Sequence, residues 1–141
     1  ADTGAASDSA LNGEGNQRRL EDKDILVVED NADTSEMLGI VLSDQGARVR
    51  SVETYDAALQ ELDRQWPDLL VSDIGLPGKD GYQLIAAIRE RETATGRTDR
   101  LRAVALTAFA RPQDRERALA AGFDAHLGKP LQPHLLLQLL A

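Results

Sequence analysis

Acidic side chains follow apolar runs at two places in this sequence. Glu29 and Asp30 end the stretch "ILVVED", and Ser72 and Asp73 end the stretch "LLVSD". Carboxylates that lie close together repel one another unless a positive charge lies among them. Carboxylate oxygens are ligands that Mg²⁺ prefers, and the absence of cysteine argues against a zinc site. If the two stretches lie side by side, their acids predict a site for Mg²⁺.

Two further polar residues could share that site. Thr107 ends the stretch "AVALT", and Lys129 follows the stretch "AHLG". An aspartate can act as a nucleophile and form an aspartyl phosphate. A hydroxyl, an ammonium group and a divalent cation would stabilise the negative charge on the transferred group. The combination predicts phosphoryl transfer.

The order of the predicted elements brings these residues together. From residue 23 onward, strand-like and helix-like stretches alternate five times, which predicts an α/β fold with a parallel sheet and helices on both faces. Five such units favour the doubly wound, flavodoxin-like strand order 2-1-3-4-5, in which ligands bind beyond the carboxyl ends of the strands. Asp73 ends the central strand of that order, between the acid pair and the Thr107 and Lys129 side. It is therefore the predicted nucleophile.

Each residue also has an ordinary structural explanation when it is taken alone. Asp73 precedes turn residues, the acids at 29 and 30 could cap the first helix, and Thr107 could be a common strand threonine. Lys129 could be a solvated loop residue. The joint pattern at four strand ends favours the site. Asp33 is predicted to lie at a helix start, Asp80 in a turn, and Asp124 at the surface or in a cap.

Composition excludes several classes of protein. The chain has 141 residues and a formal net charge of −8, which predicts one domain and argues against direct binding to nucleic acid or to an anionic membrane. No apolar run is long enough to cross a bilayer, and no signal peptide is apparent. A cytoplasmic domain without membrane contact is expected. Residues 1–22 are rich in Gly, Ala, Ser, Asn and Asp and are predicted to be a flexible linker before a domain at residues 23–141.

The sequence resembles the receiver domains of two-component response regulators, the CheY-like family. The resemblance rests on "ILVVEDN", "LLVSDIGLPGKDGYQL", "VALTAF" and "AAGFDAHLGKP", in that order, and covers about residues 24–141. It implies that Asp73 is the phosphoacceptor, that Thr107 and Lys129 contact the phosphoryl group, and that a cis peptide bond joins Lys129 to Pro130. The implied Mg²⁺ ligands are the side chains of Glu29, Asp30 and Asp73 and the backbone carbonyl of Gly75.

The resemblance also implies partners. A sensor histidine kinase or a histidine phosphotransfer domain would donate the phosphoryl group, and an output partner would bind the face formed by the fourth helix, the fifth strand and the fifth helix. The domain would be a monomer or a dimer that forms on phosphorylation. The sequence leaves open whether the chain is a stand-alone regulator or the receiver of a hybrid sensor histidine kinase.

One position departs from the family pattern. Where the family usually carries Tyr or Phe, three residues before Lys129, this chain has His126. His126 is either a switch residue that acts together with Thr107 or a ring that does not take part in switching. A switch residue of this type would bring some pH sensitivity.

Other functions fit the sequence less well. A phosphatase of the haloacid dehalogenase type needs a second acid two residues after the nucleophile, where this chain has Gly75. A dinucleotide-binding domain needs a glycine-rich turn after the first strand, which "VVEDNAD" lacks. The complete set of site residues argues against a module that binds partners without being phosphorylated.

Overall fold

A computed structural model describes residues 20–108 and 111–140 of the chain. The strands are β1 (Asp24–Val28), β2 (Arg48–Val52), β3 (Leu69–Asp73), β4 (Arg102–Thr107) and β5 (Ala125–Gly128). The helices are α1 (Ala32–Asp44), α2 (Tyr55–Arg64), α3 (Gly81–Thr95), α4 (Pro112–Ala121) and α5 (Pro133–Leu140). None of the helices in the described ranges is long and apolar enough to span a bilayer.

The strands form one parallel sheet in the order β2-β1-β3-β4-β5, which confirms the predicted topology. Asp73 and Thr107 are the last residues of their strands, whereas Glu29 and Lys129 come one residue after theirs. Because all five strands run in the same direction, these four residues lie at one edge of the sheet. The connections between strands carry the helices over both faces.

Alternation along β1 explains why its apolar run is continuous. Ile25 and Val27 pack in a core with residues of α1 and α5, whereas Leu26 and Val28 pack in a second core with residues of α2, α3 and α4. All four side chains are fully buried. Burial of each contributes about 1.5–3 kcal/mol to the free energy of unfolding. The burial of these four side chains therefore holds the backbone of β1 in place, directly before the charged residues that follow the strand.

Side-chain caps fix the helices that follow the site loops. Asn31 Oδ1 accepts a hydrogen bond from the N–H of Thr34 at 2.9 Å and begins α1. Asp80 begins α3 in a reciprocal cap with Gln83, in which each side chain accepts a hydrogen bond from the other residue's backbone N–H. The sequence predicts a turn position for Asp80, and the structure places this residue at the N-cap of α3, where the loop ends.

The packed part of the chain begins before the predicted domain boundary. Leu20 is 1% exposed in the core beneath α1 and α5, and its N–H donates to the carbonyl of Gln45 at 3.0 Å. Composition averaged over residues 1–22 hides this leucine, so the segment predicted to be a linker includes at least one residue that packs in the core. The rest of the predicted linker, residues 1–19, lies outside the described residues.

Candidate functional site

Three carboxylates meet at the carboxyl edge of the sheet. One oxygen from each of Glu29, Asp30 and Asp73 lies within 4.8 Å of the others. Glu29 is 1% exposed and Asp73 is 7% exposed, whereas Asp30 faces solvent. Two of the three charges are therefore removed from water, which makes their mutual repulsion costly unless a cation offsets it.

Lys129 places its ammonium group between the two buried acids. Its Nζ lies 2.9 Å from Oε1 of Glu29 and 3.1 Å from Oδ2 of Asp73. The lysine comes from the loop after β5, and its backbone N–H donates to the carbonyl of Thr107 at 2.8 Å, which continues the pairing of β4 and β5. The bond between Lys129 and Pro130 is cis, as predicted.

Burial and ion pairing act against each other at this contact. Burial raises the pKa of Glu29, and the contact with Lys129 and the N–H of Asn31 only partly oppose that rise. Burial by itself would lower the pKa of Lys129, but its contacts with Glu29 and Asp73 outweigh burial and raise it. The lysine is therefore charged at neutral pH, and one positive charge stands against two buried acids.

One of the two buried acids, Glu29, is incompletely satisfied by hydrogen bonds. Glu29 Oε2 accepts a hydrogen bond from the N–H of Asn31 at 3.0 Å, and Asp73 Oδ1 accepts one from the N–H of Gly75 at 3.2 Å. Oε1 of Glu29 is fully buried and accepts no aligned hydrogen bond from the described residues, so its contact with Lys129 is an ion pair without good hydrogen-bond geometry. A buried oxygen without an aligned donor is costly. An oxygen-only cluster with such an atom fits a hard divalent cation.

Thr107 connects this edge of the sheet to β5. The threonine is 7% exposed, and its Oγ1 lies 2.7 Å from Nε2 of His126 on the neighbouring strand. A hydroxyl and an imidazole at this distance form a hydrogen bond in either direction, according to the tautomer of the ring. The structure thus joins both residues of the predicted switch pair.

A cavity of about 370 Å³ opens beside Asp73. The predicted residues that line it are Asp73, Gly75, Thr107 and Lys129. It is also lined by Tyr82 of α3 and by Asp114 and Arg117 of α4, which sequence reasoning missed. The only signal for the last two is their spacing of three, which puts them on one face of a helix. Nothing in the sequence shows that this face turns toward Asp73.

Comparison with known proteins agrees with this geometry. Residues 25–141 match the family described as the response regulator receiver domain. The chain is 46% identical over 121 residues to an uncharacterized 14.6 kDa protein from Leptolyngbya boryana, across 86% of this chain and 89% of that protein. It is 40% identical over 109 residues to the phosphate regulon transcriptional regulatory protein PhoB of Escherichia coli, across 77% of this chain.

The matched region is only part of several relatives. The alignment spans 46% of PhoB and 12% of the sensor histidine kinase GacS from Pseudomonas protegens. Among solved structures, the chain is similar to a co-crystal structure of the Saccharomyces cerevisiae histidine phosphotransfer protein Ypd1 with the receiver domain of its downstream response regulator Ssk1. That match has a TM-score of 0.77 and 27% identity, and covers 83% of this chain and 85% of the other.

Proposed function

Because the chain belongs to the response regulator receiver domain family, we propose that Asp73 is the residue that accepts the phosphoryl group. Receiver domains of this family are the phosphoacceptors of two-component signalling. One observation carries the assignment to Asp73. Its carboxylate is held at the end of the central strand, 3.1 Å from Nζ of Lys129, and lines the cavity beside Thr107.

In the proposed step, a carboxylate oxygen of Asp73 forms a bond to phosphorus while the P–N bond of a phosphohistidine breaks. The electron pair of that bond stays on the imidazole nitrogen, so nothing is oxidised or reduced. The charged Lys129 attracts the phosphoryl oxygens, and the hydroxyl of Thr107 lines the same cavity as a hydrogen-bond donor. The step depends on positioning and charge more than on proton transfer.

We also propose that Mg²⁺ is the cofactor. The residues that would hold it are Glu29, Asp30 and Asp73, with the backbone carbonyl of Gly75. The proposal is supported by the convergence of three acids and by the buried Oε1 of Glu29 that lacks an aligned donor. When bound, the cation would neutralise the acids and the phosphoryl oxygens.

The proposed partners follow from the same site. A sensor histidine kinase or a histidine phosphotransfer domain is the proposed donor, in line with the Ypd1 and Ssk1 complex. The proposed output surface is the face formed by α4, β5 and α5. His126 supports this choice because it binds Thr107 and also lines a groove of about 630 Å³ between α4 and α5.

Labelling by a small phosphodonor tests the assignment. The full chain is incubated with acetyl phosphate and Mg²⁺ and examined by intact-mass spectrometry. We expect wild type to gain the mass of one phosphoryl group and Asp73→Ala to gain none. Asp99→Ala, which removes an exposed acid, should be labelled like wild type.

Two other labelling results would contradict the assignment of Asp73 as the phosphoacceptor. Labelling of both wild type and Asp73→Ala would place the phosphoacceptor at another residue. A wild-type chain that gains no mass with Mg²⁺ and acetyl phosphate would instead favour an interaction module that works without phosphorylation.

A further inference from the structure

Arg117 brings a second cationic side chain to the cavity beside Asp73. Its guanidinium carbon lies 4.1 Å from the centroid of the Tyr82 ring, and both residues line that cavity. A guanidinium stacked on an aromatic ring is attracted to the ring face and loses less freedom when it binds an anion than an unsupported arginine would. The ring of Tyr82 thus holds the charge of Arg117 at the cavity wall.

No carboxylate within residues 20–108 and 111–140 forms an ion pair with the guanidinium group of Arg117. Arg117 has no ion pair or side-chain hydrogen bond to the residues described there. The nearest acid along α4 that lines the cavity is Asp114, and it is paired with Arg111, whose Nε donates to Oδ2 at 3.0 Å. That hydrogen bond lowers the pKa of Asp114 and satisfies its charge. Arg117 is therefore available to an anion from solution.

The cavity itself restricts which anion that is. Besides Arg117, it contains the cation Lys129, the hydroxyl of Thr107 and the proposed nucleophile Asp73. Lys129 is already committed to two buried acids, so it alone offers little net positive charge to an incoming dianion. A second cation at the wall offsets this deficit. A small molecule or side chain that carries a phosphoryl group matches these cationic and hydroxyl groups, because its oxygens are negatively charged hydrogen-bond acceptors.

We propose that Arg117 is a donor-binding residue, whose guanidinium binds the phosphoryl oxygens of the phosphodonor as it enters the cavity. This inference rests on the proposed role of Asp73. An acyl phosphate and a phosphohistidine present the same phosphoryl oxyanion, so Arg117 recognises that group in both. Tyr82 is a positioning residue, because it acts only by orienting Arg117.

The test compares two variants of α4, each of which loses one positive charge. Arg117→Gln removes the cation at the cavity, whereas Arg115→Gln removes an exposed cation that lines the separate groove between α4 and α5. Initial rates of phosphorylation are measured with Mg²⁺ at increasing concentrations of acetyl phosphate, which is an acyl phosphate, and of phosphoramidate, which carries a P–N bond as a phosphohistidine does. The readout is the slope of rate against donor concentration, with thermal unfolding as a check on folding.

We expect Arg117→Gln to lower both slopes by about twofold to fivefold, the scale of a solvent-accessible ionic contact. Arg115→Gln should match wild type, Arg117→Lys should recover part of the loss, and Tyr82→Leu should give an intermediate decrease. A fall with only one donor would overturn recognition of the shared oxyanion.

The proposal on Arg117 and the proposal on Asp73 fail in different ways. Equal slopes for Arg117→Gln and Arg115→Gln in a chain that is labelled would overturn the inference on Arg117 alone. A wild-type chain that neither donor labels would overturn both proposals together.

Discussion

Oγ1 of Thr107 and Nε2 of His126 lie 2.7 Å apart, so a side chain of the phosphoacceptor cavity is bonded to a side chain of the groove between α4 and α5. The sequence left two roles for His126, a switch residue or a ring that does not take part in switching. The contact supports the switch role, since a displacement of the Thr107 hydroxyl toward a phosphoryl group would break or redirect it. Phosphorylation would then shift a population of two arrangements of this face.

The substitution His126→Ala should leave Asp73 able to be phosphorylated but weaken the structural response of α4 and β5. The physical reason is that the substitution removes the imidazole that joins the Thr107 hydroxyl to the groove. Backbone amide chemical shifts before and after treatment with acetyl phosphate measure that response. His134→Ala, which removes the other, exposed histidine, should respond like wild type. Identical shift changes in His126→Ala and wild type would refute the switch role.

The substitution Asp30→Ala should weaken Mg²⁺ binding and slow phosphorylation without loss of stability. Asp30 is exposed and shares a cluster with Glu29 and Asp73, so removing its charge relieves repulsion. We expect the free energy of unfolding to stay the same or to rise by up to about 1 kcal/mol. Calorimetric titration with Mg²⁺ checks the first effect and urea denaturation the second. Asp33→Ala, another exposed acid nearby, is the control, and unchanged Mg²⁺ affinity in Asp30→Ala would count against the metal site.

Gly81 should tolerate no side chain, because α3 begins against the backbone of the nucleophile strand. A Cβ at this position would lie 2.5 Å from the carbonyl oxygen of Asp73 and 2.8 Å from Cα of Ile74. We expect Gly81→Ala to lower the free energy of unfolding by about 1–3 kcal/mol and to slow labelling of Asp73. Urea denaturation and acetyl phosphate labelling measure the two effects.

A second glycine provides the matched control for this prediction. Gly39 lies inside α1, and nothing lies within 4 Å of a Cβ added there. Gly39→Ala should therefore raise the free energy of unfolding by up to about 1 kcal/mol, the difference in helix propensity between the two residues. If Gly81→Ala proves as stable as Gly39→Ala, the close approach of α3 to Asp73 does not prevent a side chain at position 81.

An ion-pair network away from the site makes stability depend on pH. The pKa of Glu61 is lowered, first by the hydrogen bond from Arg64 and then by that from Arg50. Glu61 Oε1 lies 2.8 Å from Nη2 of Arg64 and 2.9 Å from Nη1 of Arg50. A lowered pKa in the folded state means that the contribution of Glu61 is complete above its ordinary value of 4.5 and is lost as pH falls through the lowered pKa.

The variant Glu61→Gln should therefore be less stable than wild type at neutral pH, and the difference should shrink as pH falls below 4.5. Urea denaturation across that range measures the free energy of unfolding of both chains. Glu90→Gln, which removes an exposed acid without an ion pair in the described ranges, should show no such trend. A difference between Glu61→Gln and wild type that does not vary with pH would contradict the assignment.

The sequence by itself determined the sheet and the edge at which the site lies. Runs such as that of β1 are continuous because parallel strands are buried on both faces, and the polar residues Glu29, Asp73, Thr107 and Lys129 come directly after them. Chain direction alone then places these residues together. Their types predicted phosphoryl transfer, because an aspartate can act as the nucleophile while a hydroxyl, an ammonium group and a divalent cation stabilise the transferred group.

Only the tertiary structure decided the contacts among side chains. Three contacts depend on how the helices pack on the sheet and on which side-chain rotamers that packing allows. They are the contact of Lys129 with two buried acids, the bond between Thr107 and His126, and the approach of Arg117 to the cavity. The burial of Leu20 likewise depends on a core that the composition of its own segment does not reveal. Strand patterns repeat locally and can be read from sequence, whereas the packing of α4 and the direction of a side chain are set by residues far apart along the chain.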